Sequence, residues 1–343
     1  MNYSPNQIDS KNQYSANNLR NTPKTLAQKT MLKSLNSNNR TIKIFLCSTI
    51  GILLCLSCQN SVDARLIQYI DFETGNLSQF GNNIISQYDG LSDISVVKYR
   101  QRAGRYAARC YFGKGQDRVE ITTANGNSTD GQYGLNNQIN WYGWSMWIPG
   151  RISKDQWTIL SQWHYHTPGS IVDSLKTLSG SGNSPTRLSL WPQGILKFSL
   201  FHQVGLTQKT EEEYELGKNL IQYNSWNDFV MQVKWTSSTD GFVNFWVNGK
   251  QVLSLQNTST YFGNPYGPRF KAGVYKGAGY QYQGEPFNVY IDEYRHADQD
   301  SSYAEVLPGS QSKIAKRSHR INSSSNIRSQ NLKPRKPRLY SHQ

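Results

Sequence analysis

The chain has 343 residues, of which 12% are aromatic and only 17% charged, a composition that suits a β-rich domain or one that binds sugars through aromatic rings. Its 37 basic and 23 acidic residues are unevenly spread: residues 1–43 hold seven basic and one acidic, and residues 306–343 hold nine basic and none acidic. The 21 basic and 22 acidic residues between these ends nearly cancel, which argues against a globular domain that binds nucleic acid through its net charge.

The N-terminal region combines a polar stretch with an apolar run. Residues 1–43 are rich in Asn, Ser, Gln, Thr and Lys, which predicts a disordered basic region. The uncharged run Ile44–Cys58 is shorter than the about 20 residues of a membrane-spanning helix, and the small residues of Val62-Asp63-Ala64 follow it. We therefore predict a signal peptide h-region and cleavage site over residues 44–64, with a retained membrane anchor or lipoprotein cleavage at Cys58 as alternatives. Each alternative makes the protein secreted or otherwise extracytoplasmic.

Residues 65–308 have the length of a single all-β domain. Runs of aromatic and β-branched residues alternate there with clusters of Gly, Asn, Ser and Pro. The predicted strands are Leu66–Phe72, Ile94–Tyr99, Tyr106–Phe112, Arg118–Thr122, Tyr142–Ile148, Thr158–His164, Arg187–Trp191, Ile195–Phe201, Phe229–Trp235, Phe242–Val247, Gln251–Leu255, Phe270–Tyr275 and Phe287–Tyr294. Only Glu211–Leu220 is predicted to form a short helix. Many strands without alternating helices indicate two packed antiparallel sheets.

A hairpin, a lone cysteine and a basic tail complete the outline of the chain. Asn248-Gly249 predicts a type I′ turn between two strands. Cys110 is the only cysteine after residue 58, so the domain cannot contain an internal disulfide. Residues 309–343 are basic and contain Ser, Asn and Pro without an apolar pattern, which predicts a disordered basic tail.

Three of the predicted strands place polar side chains on one face and apolar side chains on the other, because successive side chains of a strand point in opposite directions. The polar positions are Arg118 and Glu120, then Gln162 and His164, then Lys271, Gly273 and Tyr275. For each strand alone, an ordinary half-buried strand is the alternative. If the three strands are neighbours, their common face suits a sugar that carries a carboxylate.

The stretches Arg118–Ile121, Gln162–His164 and Phe270–Tyr275 have the forms R-x-E-[IL], Q-x-H and F-K-x-G-x-Y. In this order they resemble the signature motifs of jelly-roll polysaccharide lyases, the family of alginate lyases, glucuronan lyases and heparin lyase I. Flanking segments resemble the heparin lyase I and glucuronan lyase branch: Trp144–Pro149, Val247–Lys250 and Val289–Glu293. Trp163 replaces the Ile or Val usual in alginate lyases, which counts against alginate. The resemblance spans roughly residues 71–298 and implies a concanavalin A-like β-jelly roll.

The resemblance also implies β-elimination of a uronic-acid polymer to 4,5-unsaturated products. The C5 proton of a uronate becomes acidic only when its carboxylate is neutralised, because charge moves into that carboxylate in the transition state. Arg118 and Gln162 are the predicted donors, with Glu120 holding Arg118 through a bidentate pair. His164 is the predicted base and Tyr275 the predicted acid, or Tyr275 fills both roles. The charges of Lys271 and Arg118 favour its phenolate, and the chemistry needs no cofactor.

Further residues are predicted to contact substrate or metal. Tyr280 and Tyr282 are predicted to stack on sugar rings at the mouth of the groove, with a plain mobile loop as the alternative. Related folds often carry a structural calcium, which Glu73 and Asp292 are predicted to hold if the first and last strands pair. Three histidines have no matching context and are expected in loops or on the surface: His166, His202 and His296.

A non-catalytic, lectin-like jelly roll is the main alternative function, since a binding protein needs aromatic and hydrogen-bonding groups but no acid and base. A retaining glycosidase is disfavoured, because it needs two carboxylates about 5 Å apart and the sequence lacks a Glu-x-Asp-x-x-Glu string. The expected partner is thus an anionic polysaccharide, bound by a monomer. No nucleic acid is expected, and a membrane is contacted only through an uncleaved N-terminal segment.

Overall fold

The computed structural model describes residues 66–80, 93–123, 134, 136–152, 157–164, 184–204, 208–261 and 267–310. The predicted N-terminal region 1–43, the predicted signal segment 44–64 and all but two residues of the predicted tail lie outside these ranges and stay predictions. His166 lies outside them as well. Within the described ranges, no helix is both long and apolar enough to cross a membrane.

Fourteen strands make up the described fold, and thirteen of them coincide with predicted strands. They are β1 (Leu66–Ile70), β2 (Ile94–Val97), β3 (Ala107–Phe112), β4 (Arg118–Thr122), β5 (Ile139–Ile148), β6 (Thr158–His164), β7 (Thr186–Trp191), β8 (Ile195–Val204), β9 (Gln208–Lys218), β10 (Ser225–Lys234), β11 (Gly241–Val247), β12 (Lys250–Thr258), β13 (Arg269–Tyr275) and β14 (Phe287–Ala297). The α-helix α1 (Tyr303–Val306) is a single turn, and 3-10 turns cover Ser78–Phe80 and Pro192–Gly194. Asn248 and Gly249 have φ angles of 50° and 84°, as the predicted type I′ turn requires.

The strands form two antiparallel sheets, which confirms the predicted all-β jelly-roll sandwich. The larger sheet has the order β12-β11-β10-β5-β14-β3-β2, with β1 also paired to β14, and the smaller has the order β4-β13-β6-β7-β8-β9. Strands distant in sequence, such as β5 and β14, are neighbours in space. Cys110 on β3 is buried and unpaired, as expected of the only cysteine in the domain.

The inner faces of the two sheets meet in an aromatic core. The ring centroid of Trp144 on β5 lies 5.4 Å from that of Trp163 on β6 and 5.1 Å from that of Phe270 on β13. These contacts join the larger sheet to the smaller one. Since Trp163 follows Gln162 and Phe270 precedes Lys271, packing the two rings inward directs both polar side chains to the outer face. The core therefore orients the candidate site.

Strand β9 contradicts the predicted helix over Glu211–Leu220. The chain instead pairs with β8 as an edge strand from Gln208 to Lys218. Tyr214 and Leu216 pack against the core, and the glutamates that alternate with them are exposed. Contacts made only in the folded sheet therefore outweigh the helix propensity of the glutamate run.

His296 also differs from its expected surface position, because it lies fully buried in β14. Its ring stacks on Tyr142 with 4.5 Å between centroids. Its Nε2 lies 2.9 Å from Oδ1 of Asn140, which can only accept, so Nε2 carries the proton. Burial lowers the pKa of His296 to about 3, so the folded protein keeps this imidazole neutral.

We expect His296 to destabilise the protein as the pH falls below its unfolded pKa of about 6.5, because only the unfolded imidazole then binds a proton. The loss caused by this group should reach about 2 kcal/mol at pH 5. The free energy of unfolding, measured with denaturant at pH 7.5 and pH 5, should therefore fall less for His296→Gln than for the unaltered protein. Equal losses would contradict a buried neutral histidine.

Candidate active site

The three strands that carry the predicted polar groups are neighbours in the smaller sheet. β13 lies between β4 and β6. Tyr275 pairs with Arg118 on one side of it, and Lys271 pairs with Gln162 on the other. Paired residues of adjacent strands project from the same side of a sheet, and His164 follows Gln162 by two residues on β6. The structure thus brings these groups to one face, as the alternation predicted.

Gln162 is held by hydrogen bonds at both ends of its amide. Its Nε2 donates to Oε1 of Glu120 at 2.6 Å, and its Oε1 accepts from the hydroxyl of Ser184. All three side chains are buried. Because Nε2 carries two hydrogens and Glu120 takes one, the second N–H is a donor held in a fixed direction.

Glu120 does not form the predicted bidentate pair with Arg118. Nε of Arg118 lies 3.6 Å from Oδ1 of Asp117, and its guanidinium carbon lies 3.8 Å from the ring centroid of Tyr275. Oε2 of Glu120 accepts no hydrogen bond from any described residue. The prediction was wrong because Arg118 is opposite Tyr275 in the register, where the ring face attracts the guanidinium, while Glu120 is engaged by Gln162.

The hydrogen bond between Glu120 and Gln162 crosses β13, since the two residues belong to β4 and β6. Gly273 is the residue of β13 opposite Glu120. Its φ is 149°, and a Cβ there would lie 2.1 Å from the carbonyl oxygen of Val119. Glycine is therefore required at this position by the close approach of the neighbouring strand.

We expect Gly273→Ala to lower the free energy of unfolding by about 2–3 kcal/mol, because its methyl group overlaps the Val119 carbonyl and its φ is unfavourable for a residue with a Cβ. Denaturant unfolding measures the loss. Gly279→Ala is the matched control, since Gly279 has a φ of 78° but no atom within 4 Å of an added Cβ. A loss no larger than that of the control would contradict the close contact.

Lys271 places a buried ammonium in this cluster, with 5% of the residue exposed. Burial lowers its pKa from 10.5 to about 8; the Glu120 carboxylate acts in the opposite direction, and the charges of Arg269 and Arg118 lower it further. Lys271, Arg118 and Arg269 thus bring three positive charges to one face of the sheet. The arrangement suits an anionic ligand.

His164 and Tyr275 lie at opposite ends of this face. His164 pairs with Arg269, which precedes Tyr275 by six residues on β13. At about 3.3 Å per residue, the backbone of Arg269 is roughly 20 Å from that of Tyr275. An irregularity in the pairing between Ala272 and Tyr275 shortens this distance. Both side chains nevertheless project to the same face, and their roles as base and acid stay predictions.

Tyr282 is a core residue, which corrects its predicted place at the groove mouth. It is 6% exposed, and its ring centroid lies 5.0 Å from Phe112 and 5.6 Å from Phe287. Its hydroxyl donates to the carbonyl oxygen of Glu285 at 2.9 Å. The aromatic core buries this ring because the loop folds back after β13. Tyr280 is partly buried against the same core, and its contact with substrate stays a prediction.

Three residues that the sequence analysis missed also border this face: Ser184, Arg187 and Arg269. Arg187 pairs with Gln162 across β6 and β7, and Arg269 pairs with His164. Arg187 had a detectable signal, because it alternates with leucines in a predicted strand. Ser184 had none, since it lies outside every predicted strand and approaches Gln162 only in the folded chain.

Glu73 and Asp292, the predicted calcium ligands, bind the connection between β2 and β3. The first strand, β1, pairs with the last strand, β14, as the predicted calcium site requires. However, Glu73 accepts hydrogen bonds from the backbone of Arg105 and Tyr106, and Asp292 accepts from three further backbone N–H groups. Among the described residues there is no group of three His, Cys, Asp or Glu side chains that could hold a metal. Both carboxylates are thus already hydrogen-bonded to the backbone, and calcium binding by them stays a prediction.

Comparison with known proteins gives one match to a family and several to solved structures. The model of the polysaccharide lyase family matches residues 72–295, which is more than half of the chain and close to the span of the resemblance. No curated protein sequence matches the chain.

Among solved structures, the chain is similar to an endo-β-1,4-glucuronan lyase from the fungus Trichoderma reesei, with a TM-score of 0.54 and 17% identity over 71% of this chain and 98% of the other. An alginate lyase from a Chlorella virus matches with a TM-score of 0.48 and 15% identity over 68% and 100%. An alginate lyase from Aplysia kurodai matches with a TM-score of 0.46 and 11% identity over 68% and 99%. At such identities the first likeness shows a common fold, and the two lower scores carry no argument.

Proposed function

The chain belongs to the polysaccharide lyase family, and from this premise we propose that it cleaves an anionic, uronic-acid-containing polysaccharide by β-elimination. The observation that carries the proposal is the common face of β4, β13 and β6, which Tyr275 shares with Arg118, Gln162 and Lys271. A uronate carboxylate accepts charge-assisted hydrogen bonds from such donors, which are stronger than those a neutral sugar hydroxyl can accept.

Glucuronan, alginate and heparin are the candidate polymers, and glucuronan is the first of them to test. The Trichoderma reesei glucuronan lyase shares the fold. Trp163, in addition, differs from the residue usual in alginate lyases. The lectin-like alternative is not favoured, because the matching family is one of enzymes.

The carboxylate of the reacting sugar is assigned to Gln162, Arg118 and Lys271. The Gln162–Glu120 hydrogen bond crosses β13 at Gly273, which precedes Tyr275 by two residues, or about 7 Å along the strand. A carboxylate there meets the second N–H of Gln162. Donors already in place for the charge that develops on the carboxylate stabilise the transition state more than the ground state.

Both proton transfers are assigned to Tyr275, which the separation from His164 supports. Its phenolate takes the C5 proton, the electrons of that bond form the C4=C5 double bond, and the C4–O4 bond breaks. Tyr275 returns the proton to O4 of the leaving sugar and is a phenolate again. The Arg118 guanidinium, 3.8 Å from the ring centroid, holds the ring in position. His164 and Arg269 are left to bind a neighbouring uronate.

The test is incubation of the folded protein with glucuronan, alginate and heparin, followed by far-UV absorbance and product masses. A β-elimination gives an absorbing 4,5-unsaturated sugar whose mass is one water lower than that of a hydrolysis product. Cellulose is the uncharged control for glucuronan and should give no signal. No absorbance with any of the three polyanions would refute the proposal.

We also propose that the enzyme acts outside the cytoplasm as a monomer. The uncharged run Ile44–Cys58 and the small residues of Val62-Asp63-Ala64 support export. N-terminal sequencing of protein recovered from the medium, with its molar mass in solution, tests both points. A protein that starts at Met1 and stays in the cytoplasm would contradict the location.

A further inference from the structure

The outer face of the smaller sheet continues past β6 onto β7, β8 and β9, where two cations are held by glutamates. Arg187 on β7 forms an ion pair with Glu211 on β9. Lys197 on β8 forms another with Glu213, with 2.5 Å between Nζ and Oε1. Because Arg187 is directly paired with Gln162, this strip adjoins the candidate active site.

Aromatic rings hold the two cations in position independently of the glutamates. The Arg187 guanidinium lies 4.9 Å from the ring centroid of Phe201 and 5.7 Å from that of Trp157. Nζ of Lys197 lies 4.1 Å from the ring centroid of Trp191. The two tryptophans stack on each other with 6.4 Å between centroids. Removing the carboxylates would therefore leave two ordered cations with their charge uncovered.

The two ion pairs are exposed enough to exchange their carboxylates. The side-chain exposures are 26% and 36% for Arg187 and Glu211, and 20% and 31% for the second pair. The Arg295–Glu293 pair, by contrast, is 1% and 6% exposed and fixed in the interior. Exposed pairs contribute little net free energy because water screens them, so another carboxylate can replace the glutamate at small cost.

We propose that Glu211 and Glu213 are internal competitors for the carboxylates of the substrate. In the free protein they occupy Arg187 and Lys197, and a bound uronic-acid polymer displaces them and gains two further carboxylate subsites. This inference rests on the proposed polyuronate substrate. A long chain brings several carboxylates at once and outcompetes the glutamates, whereas a short product brings few and is displaced. The edge strand thus weakens the binding of each carboxylate and favours release of the product.

The experiment compares the unaltered protein with Glu211→Gln/Glu213→Gln and with the control Glu212→Gln. Glutamine keeps the shape but not the charge. Glu212 lies between the two competitors, but it pairs in register with the core residue Leu200 and contacts the Tyr214 hydroxyl. Its substitution removes one negative charge from the same strand, on the other face. The dissociation constants of glucuronan and of cellohexaose, a neutral β-1,4-linked glucan, are measured by calorimetry, together with KM for glucuronan.

In the double variant the dissociation constant and KM for glucuronan should fall about three- to tenfold, as two exposed pairs no longer compete. Cellohexaose binding should not change, and Glu212→Gln should behave like the unaltered protein. An unchanged or larger dissociation constant, or an equal fall in Glu212→Gln, would overturn the inference. The proposed function has its own contrary outcome, which is that the unaltered protein cleaves neither glucuronan nor any other polyuronate.

Discussion

Tyr275→Phe is expected to lower kcat on a polyuronate by about 10³-fold, because both proton transfers depend on the phenolic oxygen. The substitution keeps the ring that contacts the Arg118 guanidinium, so the local packing should persist. The dissociation constant for the polymer should change little. Initial rates from far-UV absorbance, with calorimetric binding on the same preparation, measure the two quantities.

His164→Gln is the comparison that decides between one and two proton-transfer residues. His164 lies at the other end of the face and pairs with Arg269, so its loss should raise KM while kcat stays within a fewfold of normal. A loss of kcat as large as that of Tyr275→Phe would show that His164 removes the C5 proton. The single-tyrosine assignment would then be wrong.

Lys271→Gln is expected to lower kcat/KM for a polyuronate by about 10²-fold or more, because a buried positive charge close to the developing carboxylate charge is lost. The dependence of kcat/KM on pH is an independent test of this role. The pKa of about 8 means that the free protein loses this charge as the pH rises through 8. The kcat/KM of the unaltered protein should therefore fall above pH 8, and the fall should be absent in Lys271→Gln.

The stability of Lys271→Gln separates this functional loss from misfolding. The pKa of Lys271 is lower in the folded state than in the unfolded state, so its protonated form disfavours folding below pH 8, and this penalty disappears as the pH rises towards 10.5. Lys271→Gln should therefore be at least as stable as the unaltered protein at pH 7. Thermal unfolding tests this, and a clearly less stable variant would contradict the burial of a charged lysine.

Local sequence patterns were sufficient to predict most of the strands and the sheet face on which each polar side chain lies. The two motif strands Arg118–Thr122 and Thr158–His164 coincide with β4 and β6, because alternation of apolar and polar residues is a property of each strand alone. The same reasoning failed for β9, whose glutamates have helix propensity. Only its pairing with β8 gives Tyr214 and Leu216 an apolar surface to cover.

The contacts between the site residues could not be predicted in this way. The sequence suggested that Glu120 holds Arg118, since the two are neighbours on one strand face. The structure instead joins Glu120 to Gln162 across β13, and it adds Ser184 from outside the predicted strands. Tyr282 was misplaced for the same reason, because a loop aromatic is buried only when the sheets have closed around it.

Local patterns in the chain were enough to predict the class of fold, thirteen of the fourteen strands and the face on which each motif residue lies, because alternation and turn residues are properties of short segments. The folded domain was needed to show which strands are neighbours, how they are registered and which partner each side chain finds. These features depend on contacts between residues far apart in the chain, and no local pattern records their distances.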